Sequence, residues 1–283
     1  MTEQLFYTDG GRINYVESGS GTRPLVILHG LTLNWQAMAE ISTPLGEVAR
    51  CYACDLPGHG KSDWCRSGYR ISDYADGIAA FVAELSGGGT VVVGFSTGAL
   101  VALAAAARLP ELVAGVVAIE PPLIGRNSDF DALRYSDAYG WIHWVNDLNG
   151  GRLTSDQAVT RFTELQPGTG EAEAREAMSV VSSVDPRATQ LVVASRQYED
   201  FDLEQTLHAV ACPILLLAGE VELGGLIRDQ DVEFFRANAL RARLVRILGG
   251  GHGIVWGEPA ETVHAEIVAF LESLSPNRRL LDT

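Results

Sequence analysis

Short, wholly apolar runs alternating with helix-like segments set the tightest limit on how this chain can fold. "LVIL" (25–28), "VVV" (91–93), "VVAI" (116–119) and "ILLL" (214–217) hold no polar residue. A strand that is apolar at every position is buried on both faces, which is the condition of a parallel sheet covered by helices on either side. Between these runs the spacing changes to that of helices. "ISDYADGIAAFVAEL" (71–85) places apolar residues at helical intervals, with Ser72 as the expected N-cap. "TGALVALAAAAR" (97–108) is alanine-rich and stops before Pro110. The opening "LFYTDGGRINY" reads as a hairpin turning at Asp9-Gly10-Gly11, adding an antiparallel edge.

From 123 to 206 the rhythm breaks, and no buried strand is evident. "DALRYSDAYGWIHWVNDL", "SDQAVTRFTEL" and "EAEAREAMSVV" all read as helices. Alternation resumes with "CPILLLAG", "RDQDVEFFRANA", "ARLVRIL" and "EPAETVHAEIVAFLESL". The predicted fold class is therefore α/β: a mostly parallel central sheet with helices on both faces. Residues 1–122 and 207–283 form the core, and 123–206 form an inserted helical cap.

In such sheets the ligand site lies beyond the carboxyl ends of the strands. His29-Gly30-Leu31 follows one strand, "GFSTG" (94–98) another, Glu120 a third, Gly219-Glu220-Val221-Glu222 a fourth and "GGGHG" (249–253) the last. Serine, carboxylate and histidine thus stand at strand ends in that chain order. A serine hydroxyl needs a base to take its proton, and neutral imidazole suits that task. The imidazole needs a carboxylate to fix its tautomer, and a tetrahedral oxyanion needs N–H donors. Thr97, at a helix start, and Leu31, after the His-Gly turn, are placed to supply those donors.

Through these residues the sequence resembles the α/β-hydrolase superfamily over nearly its full length. "LHGL", "DLPGHGKS", "GFSTG", the Gly219 loop and "GGGHG" occur in that superfamily's order. The resemblance implies Ser96 as nucleophile, His252 as base, and Leu31 and Thr97 as the oxyanion hole, with no cofactor. It leaves two places for the acid. The usual one, after the strand that follows the cap, holds Glu222 in a loop that departs from the family pattern, with Glu220 nearby. The other, after the strand that follows the nucleophile's helix, holds Glu120, stiffened by Pro121-Pro122. A glutamate there resembles zearalenone-type lactone hydrolases. Haloalkane dehalogenases and epoxide hydrolases are disfavoured, because they carry a carboxylate where Ser96 stands.

The remaining residues narrow the function class. With 21 basic against 36 acidic side chains, a net charge of −15 argues against a nucleic-acid or anionic-membrane surface. No apolar run approaches the ~20 residues that span a bilayer. The N-terminal stretch lacks the pattern of a signal peptide, so a cytoplasmic location is expected. Cys51 and Cys54 lie three apart in a strand, on opposite faces, and read as reduced buried thiols rather than a metal or redox pair. No His or Cys spacing supports a metal site. His29 reads as shaping the oxyanion turn and His59 as a loop former. In the cap, Tyr139, Trp141, His143 and Trp144 form a candidate substrate wall, with Tyr135 near them.

The expectation is a serine hydrolase cleaving a carboxylic ester or lactone of a mid-sized hydrophobic substrate. The same triad would serve C–C bond hydrolysis or haloperoxidase-type activity. A ligand receptor on a hydrolase fold is the alternative from another class. Exposed cap aromatics would also suit a homodimer surface.

Overall fold

The computed structural model describes residues 2–85, 89–123 and 137–274, without the side chains of 137–139. Eight strands form one sheet in the order β1-β2-β4-β3-β5-β6-β7-β8. They are β1 Glu3–Thr8, β2 Gly11–Ser18, β3 Pro24–Leu28, β4 Arg50–Cys54, β5 Thr90–Phe95, β6 Val113–Ile119, β7 Ile214–Ala218 and β8 Ala242–Arg246. β1 and β2 pair as an antiparallel hairpin, and β2 runs antiparallel to β4; every other neighbouring pair is parallel. The apolar strands predicted from sequence are the central ones.

Because side chains alternate across a strand, each central strand feeds two cores. Val26, Leu28, Val92, Val116, Ala118 and Leu216 join one face, packed by α2 (Ile71–Glu84) and α3 (Thr97–Arg108). Leu25, Ile27, Val91, Val93, Val117 and Leu217 join the other, packed by α1 (Ala39–Leu45) and the long C-terminal helix Glu258–Ser273. Removing a side chain this size from water contributes roughly 1.5–3 kcal/mol, so the two cores fix the strand ends firmly. Cys51 and Cys54 divide between the two faces, both free and buried. Burial pushes the Cys51 thiol up to about 12, so it stays protonated and unreactive.

Between β6 and β7 run α4 (Asp137–Asn149), α5 (Ser155–Leu165), α6 (Glu171–Val181), α7 (Pro186–Val193) and α8 (Leu203–Ala209). After β7 come α9 (Asp229–Asn238) and α10, the C-terminal helix already given. Helices α4 to α6 have a small core of their own, formed by Trp144, Val145, Ala158, Phe162, Ala174 and Val181. α5 and α6 match the sequence expectation end to end. α7 and α8 were not singled out there, and their 8 and 7 residues are too short for a clear period.

One expected cap moves. Helix α2 begins at Ile71 with Arg70 as N-cap. The Asp73 carboxylate reaches back to accept from the Arg70 N–H at 2.9 Å. Ser72 is inside the first turn, and its hydroxyl donates to Asp200 at 2.6 Å instead. Among the described residues no helix is long and apolar enough to cross a membrane.

Candidate active site

Ser96 sits between β5 and α3 with φ 54° and ψ −122°, a conformation L-residues rarely adopt. Two close approaches hold it there. A Cβ on Gly98 would come within 2.4 Å of the His29 carbonyl oxygen, so the helix can start hard against the β3 loop only with glycine. A Cβ on Gly30 would lie 3.1 Å from Ser96 Cβ, which shows how near the 29–32 backbone passes. The Ser96 N–H is pinned to the Ile119 carbonyl at 2.8 Å, tying this turn to the end of β6.

Glu120 is the next residue of that strand end. Its φ is also positive, 49°, and its N–H is pinned to the Leu217 carbonyl at 2.8 Å. The side chain is fully buried. The N–H groups of Gly219 and Leu226 each donate to it at 2.7 Å, one to each carboxylate oxygen. These two bonds fix the orientation of the carboxylate.

His252 joins the two. Its Nδ1 faces Glu120 Oε2 at 3.2 Å, and its Nε2 faces Ser96 Oγ at 3.1 Å. A proton on Nδ1, donated to the carboxylate, leaves Nε2 free to accept the serine proton. The imidazole lies 4.9 Å from the Phe95 ring, centroid to centroid, and Phe95 meets Trp256 edge-on at 5.3 Å. Trp256 is tied by its indole N–H to the Ala37 carbonyl at 2.7 Å. Sequence reading did not single out Phe95 or Trp256, although Phe95 adjoins the serine and Trp256 follows His252 by one helical turn.

Of the two places for a carboxylate, the structure brings Glu120 to the imidazole. Glu222 is exposed on the turn Val221–Leu223. Glu220 accepts from the Gly249 N–H at 2.6 Å, so it braces the glycine run ahead of His252.

On the opposite side, the loop after β3 carries Leu31. Among the described residues, neither the Leu31 N–H nor the Thr97 N–H has a protein acceptor, as expected for a helix start in the second case. His29 Nδ1 bonds the Gly30 carbonyl at 2.7 Å, and its Nε2 accepts from the Leu56 N–H at 2.9 Å. His59 Nε2 accepts from the Thr32 N–H at 3.2 Å. Burial depresses His29 to about 4 and His59 to about 3, in the latter case aided by the neighbouring His29. Both rings therefore stay neutral at pH 7 and act as braces.

The four residues expected to form a substrate wall divide. Trp141 is half-buried, and its indole N–H donates to Thr32 Oγ1 at 2.7 Å. His143 is also half-buried on α4. Trp144 corrects the expectation: it is fully buried inside the inserted helices, with its N–H donated to the Ala158 carbonyl at 2.9 Å. It packs the insertion and meets no open space. The side chain of Tyr139, like all of Tyr135, lies outside the described residues.

A strained serine at a strand-to-helix turn, touching an imidazole backed by a buried carboxylate, on a mostly parallel sheet, defines a class of hydrolytic fold. The chain belongs to the alpha/beta hydrolase family, whose model matches residues 25–265. The 2-(acetamidomethylene)succinate hydrolase of Mesorhizobium japonicum is 42% identical over 115 residues, 40% of this chain and 41% of that protein. The pimeloyl-[acyl-carrier protein] methyl ester esterase of Stenotrophomonas maltophilia is 29% identical over 263 residues, 89% of this chain and 94% of that one. Among solved structures, an N-acyl homoserine lactonase superposes with a TM-score of 0.74 at 22% identity, covering 97% of this chain and 98% of that one. An E-2-(acetamidomethylene)succinate hydrolase gives 0.72 at 23%, covering 96% and 99%. Hydrolases with esterases among them support an enzyme that hydrolyses ester bonds.

Proposed function

We propose that this chain is a cofactor-independent serine hydrolase acting on carboxylic esters or lactones. The carrying observation is the continuous Ser96–His252–Glu120 hydrogen-bonded relay. Ser96 Oγ attacks the carbonyl carbon as its proton passes to His252 Nε2. The oxyanion is met by the N–H groups of Leu31 and Thr97. Collapse expels the alkoxide, which takes the proton from the imidazolium and leaves an acyl-serine. Water then attacks the acyl carbon, gives its proton to His252, and the acid departs as the proton returns to Ser96. Glu120 holds the imidazole tautomer and offsets its transient charge.

A mid-sized hydrophobic acyl or alkoxy group is the expected substrate part, with Trp141 and His143 of the inserted helices as candidate walls and Trp141 linked to the loop beside Ser96 through Thr32. The inserted helices act as the cap. The test is labelling by a fluorophosphonate probe together with turnover of p-nitrophenyl butyrate. Labelling and many turnovers in the native protein, with both lost in Ser96→Ala, are expected; labelling that survives Ser96→Ala overturns the assignment.

A second reading has its own support in the relative at 42% identity, whose named substrate carries an acetamido group on a succinate. Amide cleavage would use the same relay. A kcat/KM on an anionic N-acyl enamine above that on p-nitrophenyl butyrate would favour it.

A further inference from the structure

Thr32 is the tightest point of the loop facing Ser96. It is fully buried and holds φ 68°, which a β-branched residue adopts only when its surroundings force it. Every polar group it can use, apart from its carbonyl, is engaged. Its N–H donates to His59 Nε2 at 3.2 Å, and its hydroxyl donates to the Leu31 carbonyl at 2.5 Å. The same Oγ1 accepts the indole N–H of Trp141 at 2.7 Å. Two of these bonds arise within the core. The third comes from α4, 109 residues away in sequence.

Leu31 is fixed on both sides by these contacts. The peptide that carries its N–H is held through the Gly30 carbonyl, bonded to His29 Nδ1 at 2.7 Å. The following peptide is held through the Leu31 carbonyl by the Thr32 hydroxyl. A hydroxyl rotates freely until an outside donor fills one lone pair and so aims its hydrogen. Trp141 is that donor. Its ring is anchored in turn against Trp144 at 5.0 Å and Phe162 at 5.9 Å, within the insertion's own core.

We infer that Trp141 is a positioning residue for the oxyanion loop: through Thr32 it sets the orientation of the Leu31 peptide, so that seating of the inserted helices and completion of the oxyanion hole are one event. This rests on the serine-hydrolase reading above. Trp141 need not touch the substrate, so the effect reaches substrates too short to meet α4.

The experiment uses p-nitrophenyl acetate and the full chain, with Trp141→Phe, Thr32→Val, the double variant, and Thr32→Ser as the conservative control. Trp141→Phe and Thr32→Val are each expected to lower kcat about tenfold, with KM within twofold, a fraction of the loss expected when an oxyanion donor is removed outright. The double variant is expected to be no worse than either, because both break one linkage. Thr32→Ser stays within twofold of the native protein. Binding of a trifluoromethyl ketone, whose adduct with serine carries the oxyanion, should weaken by the same factor as kcat falls. A merely structural role would lower the folded fraction without this split. Thr32→Val carries the test if Trp141→Phe does not fold.

A kcat within twofold in both single variants overturns the inference. So does a rise in KM at unchanged kcat, which would make Trp141 a pocket wall, and so do losses that multiply in the double variant. Surviving fluorophosphonate labelling in Ser96→Ala overturns the serine assignment instead, so the two failures are told apart.

Discussion

The strand ends and the inserted helices are built on opposite terms. At the strand ends, Ser96 and Glu120 are pinned by backbone bonds to the next strand over, and Glu120 is wrapped by two further N–H groups. Nothing there can shift without disturbing the sheet. Helices α4 to α6 instead pack on one another around Trp144 and Phe162, while α7 and α8 add Ala188 and Leu207 to one of the sheet's cores. Polar links also join α4 and the start of α7 to the rest of the chain: Trp141 to Thr32, the Asp185 N–H to the Gly58 carbonyl at 2.8 Å, and the Tyr69 hydroxyl to the buried Asp185 carboxylate at 2.5 Å. Reacting groups need fixed geometry, to within fractions of an ångström. If α4 to α6 cover the site as proposed, their separate packing lets them move without loosening the strand ends.

The largest effects should fall at the strand ends. Ser96→Ala should lower kcat by about 10⁵-fold or more, and Glu120→Gln by about 10³-fold or more through loss of tautomer control. Ser96→Ala should keep a native melting profile within a few degrees; Glu120→Gln sets an amide NH2 against a backbone N–H that the carboxylate had accepted, so its melting point should fall, and its kcat is read on the folded fraction. A kcat for Glu120→Gln near that of the native protein would show that another group orients His252.

In the insertion the effect should fall on stability. Trp144→Ala removes a fully buried ring and should cost about 3–5 kcal/mol, read from urea unfolding. Fluorophosphonate labelling of Ser96 should persist in the fraction that stays folded. If labelling vanishes together with native signal at the lowest urea, the insertion and the sheet are one cooperative unit.

Acid should act on the strand-end region through its two buried imidazoles. In the unfolded chain His29 and His59 take up protons below about 6.5, but in the fold only near 4 and 3. Between those limits the unfolded state binds more protons, so stability present at pH 7 falls as pH drops through about 6.5. At pH 5.5 each contributes a loss of about 1.4 kcal/mol, ~3 kcal/mol together. Replacing His59 by Gln should flatten that slope, measured as the urea midpoint from pH 7.5 to 5.5.

The smallest effect belongs to Glu222→Gln. An exposed side chain on a short turn should change kcat by less than twofold and stability by less than about 0.5 kcal/mol.

What could be read from sequence follows the same division. The sheet was legible because apolar strands and Gly-Phe-Ser-Thr-Gly are local signals whose neighbours are fixed by chain order. Glu120 was legible as a strand-end carboxylate, but sequence put it only narrowly ahead of Glu222, on the stiffness of Pro121-Pro122: what separates them is Gly219 and Leu226 folding back on one and not the other, a contact across about a hundred residues. In the insertion, Trp141 and Trp144 stand one helical turn apart and look alike. Only the packing of α5 and α6 decides that Trp144 goes inside while Trp141 turns its N–H toward the core. Phe95 and Trp256 escaped notice because aromatic residues beside a buried strand read as packing until a histidine is seen to lie against them.

Thr32, Ser96 and Glu120, three of the four described non-glycine residues with positive φ, share the rim where chemistry is expected. Each such backbone costs roughly 1–3 kcal/mol. Selection for heat resistance alone would therefore favour glycine at Ser96, whereas glycine at Glu120 would strand the Gly219 and Leu226 N–H groups and glycine at Thr32 the Trp141 indole N–H. Stabilising screens on this molecule should accordingly enrich an inactive Ser96→Gly variant, so that an inactive survivor would mark the proposed nucleophile without any substrate.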